Sequence, residues 1–324
     1  MLEKYIKAFS NLRTDKNRNR YPAVTNYRAP HKPFLLLSIM DLIAQGQITE
    51  NFIEPSYELV ETWNTYYSSI MPLGSKTSMA YPFSRLKTDS FWQRLAKPGY
   101  NRETEYNVKS MDRLRELYYG AKMDDELFQF IRDWKTRERL RLVLIQTYFA
   151  LEVQPAVLEQ GKVNFEAYRY SEQLLTEVNE RVRDWIGPEE PGKRKVRDQG
   201  FRKAIVTLYE HRCAMCGIRM LTPEGHTVVV AAHIAPWSET HDDMPTNGMA
   251  LCRICHWSFD EGLMSVGKEY QVLVSKRVQL EQNLPGHILT LRDRNIFTPD
   301  EEKYWPAQSN LEYHRQKTFR ALKT

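Results

Sequence analysis

Apolar residues in the first half of the chain recur three and four positions apart, the period of an α-helix. This spacing predicts helices over residues 30–46, 56–70, 136–153 and 171–186. Residues 78–92 are aromatic and contain Pro82, a composition that favours a loop with short strands. Residues 1–165 are therefore expected to form one mixed, largely helical domain.

The C-terminal part has shorter apolar runs separated by turns. Val228–Val230 and the alanines after them predict a strand that ends at His233, and a second strand is expected after Asn247. Further expected elements are a short helix over 253–262, two strands around Gly267, and a closing helix in 311–322. The stretch 187–200 combines proline, glycine and a charge run, as linkers do. The predicted fold class is α+β, with domains at 1–165 and 198–324 and a helical, basic linker at 166–197.

Positive charge is concentrated in two places, although the whole chain carries only +5. Residues 1–33 contain eight lysines and arginines against two acids, and a second basic cluster occupies 193–203. Such clusters suit a polyanion such as nucleic acid, although a solvated surface and a basic linker would explain them equally well. No apolar run approaches the ~20 residues that a bilayer span needs, and the N-terminus lacks a signal-peptide pattern. A cytoplasmic protein with no membrane partner is expected.

The four cysteines form two pairs, each with a two-residue spacer. Cys213 and Cys216 lie in "CAMC", and Cys252 and Cys255 lie in "CRIC". Two such pairs complete the tetrahedron of thiolates that Zn²⁺ prefers, and a filled shell leaves no open position for catalysis. A structural zinc site is predicted, with a dithiol redox site or plain buried thiols as the alternatives.

The segment between and after these pairs has the order strand, His, loop, Asn, strand, helix, His. Its stretches "AAHIAPWS", "NGMALC" and "CHWSFDEGL" resemble the HNH endonucleases that carry a four-cysteine zinc and have a ββα-metal fold. By this resemblance His233 is the general base, Asn247 orients His233, and His256 binds a catalytic divalent cation. Independently of it, phosphodiester hydrolysis needs a base that is neutral near pH 7 and a cation that stabilises charge on the phosphate.

One position departs from many members of that family. Ala232 stands where a metal ligand often precedes the general base. Asp260 lies four residues after His256, on the same helical face, and is the nearest replacement ligand. Asp242 and His241 are loop alternatives. The resemblance implies Mg²⁺ or Mn²⁺ at this site, in addition to the structural Zn²⁺.

Two N-terminal stretches, "NYRAPHKPFLLLSIMDL" and "AYPFSRLKTDSFW", resemble the sulfur-binding domain of phosphorothioate-dependent (type IV) restriction endonucleases. Sulfur is larger and more weakly hydrated than oxygen, so an apolar cup beside cations would favour a thioated phosphate. The resemblance implies that Tyr81 and Pro82 line the cup, that His31 and Lys32 lie by the phosphate, and that Arg28 and Arg85 support them.

The predicted function is a modification-dependent restriction endonuclease that binds phosphorothioate-modified double-stranded DNA and hydrolyses its backbone. Cutting both strands takes two active sites, which favours action as a homodimer. The alternatives are an HNH nuclease specific for methylated bases or for unmodified DNA, and a zinc-braced DNA-binding protein with an inactive nuclease site.

Overall fold

The computed structural model describes residues 1–72, 74–75, 77–100, 108–176, 191–279 and 286–321. The chain divides into two compact units. Unit 1 comprises Met1–Phe165 with Thr222–His226, and unit 2 comprises Glu166–Leu221 with Thr227–Thr324.

Helices predominate in the described part of the chain, and the strands form two-stranded antiparallel sheets. The helices are α1 Leu2–Ser10, α2 His31–Ala44, α3 Tyr57–Ile70, α4 Ala80–Arg85, α5 Met111–Leu117, α6 Asp125–Arg132, α7 Trp134–Tyr148, α8 Gln154–Thr176, α9 Pro191–Leu208, α10 Trp237–Thr240, α11 Arg253–Asp260 and α12 Gln308–Lys317. The strands are β1 Trp92–Ala96, β2 Tyr118–Met123, β3 Val229–His233, β4 Gly248–Cys252, β5 Met264–Val266 and β6 Val272–Val274. The pairs are β1–β2, β3–β4 and β5–β6, so the predicted α+β class is confirmed. Among the described helices, none is long and apolar enough to cross a membrane.

Helix α2 is the centre of unit 1. Every residue from Lys32 to Ile43 is buried, as expected of a helix that is apolar on all sides. Its one buried carboxylate, Asp41, is compensated by Arg141 at 2.9 Å and accepts hydrogen bonds from Tyr66 and Asn164. A buried charge is tolerated only with such partners, so this network fixes how α2, α3, α7 and α8 pack.

The loop predicted over residues 78–92 is wrong for its first half, which forms α4. Pro82 is the third residue of this helix, and the first turn of a helix has no intrahelical acceptor for its N–H groups. Proline therefore does not interrupt α4. The helix is tied to β1 because the indole nitrogen of Trp92 donates to the carbonyl of Phe83 at 3.1 Å.

Unit 2 is built on the hairpin of β3 and β4. Val229 pairs with Cys252 and His233 with Gly248, so the antiparallel hairpin brings the end of β3 beside the start of β4. Helices α9 and α11 both pack on this hairpin. The predicted strands, the helix after Cys252, the two strands around Gly267 and the closing helix are all present.

The charged stretch predicted as linker is partly helical. Residues 191–200 form the first part of α9. The helix continues to Leu208, and its apolar side chains Phe201 and Ile205 pack in the core of unit 2. Residues 177–190 lie outside the described residues. They include the end of the helix predicted over 171–186 and the start of the linker stretch 187–200.

Candidate functional site

The four cysteine sulfurs converge in unit 2. All four Sγ atoms lie within 4.8 Å of one another, and the Sγ atoms of Cys216 and Cys252 are 3.7 Å apart. Tetrahedral zinc with Zn–S bonds of about 2.3 Å requires sulfurs about 3.8 Å apart, so the cluster fits this ion. Cys213 and Cys255 are fully buried, which leaves no room for a substrate at the cluster.

Local backbone geometry shapes the first cysteine pair. Ile218 accepts a hydrogen bond from the backbone N–H of Cys213, and Gly217 donates to the carbonyl of Cys213. Gly217 has φ +73°, and a Cβ there would lie 2.4 Å from the ring of Phe297. Only glycine meets both conditions without strain. The N–H of Ala214 donates to Ala250 in β4 at 2.7 Å, which attaches this turn to the hairpin that carries the second pair.

His233 stands at the end of β3 with its ring held from two directions. Its face stacks on Phe201 of α9, with centroids 4.0 Å apart and planes within 6°. Its Nε2 lies 2.7 Å from Oδ1 of Asp243. The side chain retains 24% of its exposure, so one part of the ring stays accessible to water.

His256 and Asp260 lie one turn apart on α11. Their Nε2 and Oδ2 atoms are 3.4 Å apart, and the side chains are 33% and 57% exposed. Burial raises the pKa of Asp260, and the neighbouring His256 opposes this rise. An imidazole and a carboxylate at this spacing could supply two ligands to a divalent cation and would leave positions for water or a phosphate oxygen.

The loop alternatives for the missing ligand at Ala232 are bonded within their own loop. Asp242 accepts a hydrogen bond from the N–H of Met244, and Nδ1 of His241 contacts the carbonyl of Trp237. Both groups therefore stabilise their own loop. Asp260 is the carboxylate that the fold brings next to His256.

Residues 213–267 match the sequence model of the HNH endonuclease family. This stretch, hereafter the HNH segment, contains both cysteine pairs and His233, Asn247 and His256. It covers less than half of the chain.

A solved structure described as the modification dependent TagI restriction endonuclease is similar to this chain. The identity is 21%, the TM-score is 0.27, and the similar region covers 36% of this chain and 36% of that one. Comparison with curated proteins gives no match.

Within the HNH segment, Asn247 acts on the loop rather than on the histidine ring. Its fully buried amide accepts from the N–H of Ala235 and donates to the carbonyls of Ala235 and Asp242. None of these bonds reaches the ring of His233, so the expectation that Asn247 orients His233 stays a prediction, in which the amide would act through the loop. The amide closes the loop between β3 and β4, and His233 is oriented by a residue of that loop.

That residue is Asp243, which the sequence analysis did not single out. Its carboxylate is buried and contacts Tyr170 of α8 and Arg197 of α9 as well as His233. Burial and the nearby Asp243 raise the pKa of Tyr170, which keeps the hydroxyl protonated as a donor. The available signal was weak: an acidic pair, Asp242 and Asp243, between the histidine and the asparagine.

Unit 1 contains a cavity of about 320 Å³. Five of the six residues implied by the sulfur-binding resemblance line it, namely His31, Lys32, Tyr81, Pro82 and Arg85. Arg28 is not among the lining residues. Further lining residues that the sequence analysis did not name include four with charged side chains: Arg13, Asp15, Arg20 and Lys109.

The cavity's positive charge comes chiefly from its arginines. Burial, together with Arg20 and Arg85, lowers the pKa of His31 to about 4, so the ring is neutral at pH 7. Lys32 is buried, with Nζ 2.6 Å from Asp89 and 2.9 Å from the hydroxyl of Thr88. His31 therefore carries no charge at pH 7, and the charge of Lys32 is compensated by Asp89. That both residues lie by a bound phosphate stays a prediction.

The His31 ring, which lines the cavity, packs among aromatic side chains. The His31 ring lies within 6.2 Å of the rings of Tyr21, Trp63 and Tyr67, measured between centroids. The guanidinium of Arg85 lies 5.6 Å from the centre of the Tyr81 ring. The cavity thus combines apolar ring surface with exposed arginines.

Proposed function

We propose that the chain is a modification-dependent restriction endonuclease. Unit 2 hydrolyses phosphodiester bonds of double-stranded DNA with a divalent cation, and unit 1 binds phosphorothioate-modified DNA. Two copies act on one duplex, because each copy has one hydrolytic site and two strands are cut. The observation that carries the nuclease assignment is the HNH match together with the hairpin and helix that present His233 and His256.

In the proposed reaction, His233 removes a proton from the attacking water. The water oxygen bonds to phosphorus as the bond to the leaving sugar oxygen breaks, and the leaving oxygen takes a proton from solvent. The stacking on Phe201 and the bond to Asp243 hold the imidazole in one orientation, which lowers the entropic cost of reaching the transition state.

His256 and Asp260 would hold the divalent cation. A bound Mg²⁺ or Mn²⁺ stabilises negative charge on the phosphate and on the leaving oxygen. The exposure of both side chains suits a ligand pair that shares its ion with substrate. The cysteine cluster has the opposite character, since three of its four cysteines are buried and Cys216 is half-buried, which suits a structural Zn²⁺.

The sulfur-binding assignment rests on the cavity of unit 1. Tyr21, Tyr81 and Pro82 offer apolar surface, and Arg20 and Arg85 offer charge for the phosphate. Neutral His31 suits this arrangement, because a second charge beside the sulfur would favour the better-hydrated oxygen. A small apolar difference of this kind is worth about 1–3 kcal/mol, or roughly 5- to 150-fold in affinity.

Digestion of three matched DNAs tests the proposal. The same plasmid sequence is prepared with phosphorothioate linkages, with methylcytosine, and without modification, and each is incubated with Mg²⁺ or Mn²⁺. Cleavage of the thioated DNA alone is expected, with loss of cleavage in EDTA. Cleavage of methylated or plain DNA would assign the other substrate, and absence of cleavage despite DNA binding would support an inactive nuclease.

Substitutions in the cavity distinguish sulfur recognition from general DNA binding. Tyr81→Ala is expected to weaken binding to thioated DNA while leaving binding to plain DNA unchanged. Arg85→Ala is expected to weaken both, because it removes charge from the phosphate site. The measurement is the Kd of each variant for thioated and plain duplexes at one salt concentration, since phosphate contacts depend on salt.

Lys32 is unsuitable for this test. Breaking a buried ion pair by removing one partner typically costs about 3–5 kcal/mol, so Lys32→Ala would destabilise unit 1. The control for Arg85→Ala is Lys135→Ala, which removes one positive charge from the exposed surface of α7, outside the cavity. An equal loss of affinity for both DNAs in Tyr81→Ala would contradict the apolar cup.

A further inference from the structure

Asp243 is a buried carboxylate held by three structural elements other than its own loop. Its side chain is 5% exposed. Oδ1 lies 2.7 Å from Nε2 of His233 in β3, Oδ2 accepts from the hydroxyl of Tyr170 in α8 at 2.9 Å, and Nε of Arg197 in α9 lies 3.6 Å from Oδ2. The carboxylate thus divides its two oxygens between a histidine on one side and a phenol and a cation on the other.

This division determines which nitrogen of His233 carries the proton. A carboxylate can only accept hydrogen bonds, so in the neutral imidazole Nε2 must carry the hydrogen. Nδ1 then presents its lone pair, and within the described part of the chain no protein group hydrogen-bonds to it. The unprotonated nitrogen is the one that remains for a water molecule.

Arg197 and Tyr170 keep the carboxylate in this orientation. Arg197 packs its guanidinium over the indole of Trp237, 3.5 Å from the ring centre, so the cation itself is fixed. Tyr170 is buried. Asn247 holds the loop closed through its hydrogen bonds to the backbone of Ala235 and Asp242. The orientation of His233 therefore depends on α8 and α9, both outside the HNH segment.

We propose that Asp243 is a positioning residue for His233: it selects the tautomer with the proton on Nε2 and stabilises the imidazolium formed when Nδ1 takes a proton from water. Tyr170 and Arg197 act through Asp243 by holding its carboxylate. This inference rests on the proposed nuclease function, in which His233 is the base.

The tautomer is measured directly in the wild-type protein. Full-length protein with ¹⁵N-labelled histidine is examined by two-bond ¹H–¹⁵N NMR at about pH 8, above the ordinary histidine pKa of about 6.5. The His233 signals are assigned by their absence in His233→Ala. The expected pattern is a protonated Nε2 and an unprotonated Nδ1. The opposite pattern in the wild-type protein would overturn the proposal without any variant of Asp243.

Asp243→Asn is expected to reverse the tautomer. The amide oxygen stays beside Arg197, because a cation attracts oxygen and repels an NH₂ group, so the NH₂ group faces His233. It then donates to Nε2, and the ring proton moves to Nδ1. We expect kcat to fall about 10- to 100-fold, the loss that removal of the outer hydrogen-bond partner of a metal-ligating histidine causes, with little change in DNA affinity.

Two further variants separate positioning from stability. Tyr170→Phe removes one bond to Oδ2 and is expected to lower kcat less than Asp243→Asn, with the tautomer unchanged. Asp300→Asn makes the same chemical change at an exposed position of unit 2 and is expected to leave both kcat and the tautomer unchanged. Thermal midpoints of all variants are recorded, since a purely structural role of Asp243 would lower stability without changing the tautomer.

The outcomes distinguish this inference from the proposed function. If His233→Ala abolishes cleavage while Asp243→Asn keeps the wild-type rate and tautomer, the positioning role is overturned and the nuclease assignment stands. If His233→Ala cleaves DNA as well as the wild type, the proposed function itself fails. A reversed tautomer together with a reduced kcat in Asp243→Asn supports both.

Discussion

Replacement of His233 by alanine is expected to lower the rate of DNA cleavage by about 10²- to 10⁴-fold, the usual contribution of a general base. The loss follows because, among the described residues, the imidazole of His233 is the one that the hairpin places against Phe201 and Asp243. DNA affinity is expected to remain unchanged, since the DNA-binding cavity proposed above lies in unit 1. The measurement is single-turnover cleavage of thioated DNA with saturating Mg²⁺ or Mn²⁺, alongside the Kd in a cation-free buffer.

The matched control for this variant is His287→Ala. His287 is an exposed histidine of unit 2. Its backbone carbonyl accepts a hydrogen bond from the hydroxyl of Thr290, and alanine retains this carbonyl. Its loss should change neither cleavage nor stability. Undiminished cleavage by His233→Ala would refute the assignment of the base. Equal losses in both variants would indicate damage to the fold rather than to the chemistry.

The parts of unit 2 that could be predicted from sequence are those determined by local chemistry. The β-branched run Val228–Val230 and the alanines after it predict the strand that ends at His233, and the two-residue spacer of each cysteine pair implies a shared ion. The pairing of His256 with Asp260 follows from the four-residue spacing of one helix face. Each of these signals lies within a few residues along the chain.

The environment of His233 could not be predicted in the same way. Asp243 reaches Tyr170 across 73 positions of the sequence and Arg197 across 46. No local sequence pattern identifies Tyr170 or Arg197 as a partner of Asp243. Both lie in helices whose apolar spacing indicates only a structural role. The same limit applies to Asn247. Its residue type and position indicated a role at the site, but its hydrogen-bond partners Ala235 and Asp242 are set by how the loop folds.

The cavity of unit 1 shows that residue type does not determine charge. Sequence identifies His31 and Lys32 as basic, but the three-dimensional environment neutralises the first and pairs the second with Asp89. Desolvation disfavours a charged group by an amount that depends on burial, which only the folded structure specifies. Pro82 is a parallel case, since its effect on a helix depends on its position within the first turn.

Cys216→Ser is expected to remove the zinc ion and to unfold much of unit 2 at moderate temperature. The cluster joins the turn at 213–216 to the junction of β4 and α11, and a two-stranded hairpin is at best marginally stable alone. Loss of a metal site ranks among the largest single-residue effects, so we expect a destabilisation of more than about 4 kcal/mol. Zinc content by elemental analysis and calorimetric unfolding of the full chain provide the measurements.

Met220→Ser is the matched control, because Met220 is a sulfur-containing side chain that is 55% exposed and outside the cluster. It should bind one zinc ion per chain and unfold like the wild type. A chelator strong enough to remove zinc from the wild type should reproduce the unfolding of Cys216→Ser, since metal binding and folding are coupled. A Cys216→Ser chain that retains a full equivalent of zinc and the wild-type transition would contradict the structural role. The nuclease frame would then depend on packing of α9 against the hairpin rather than on the ion.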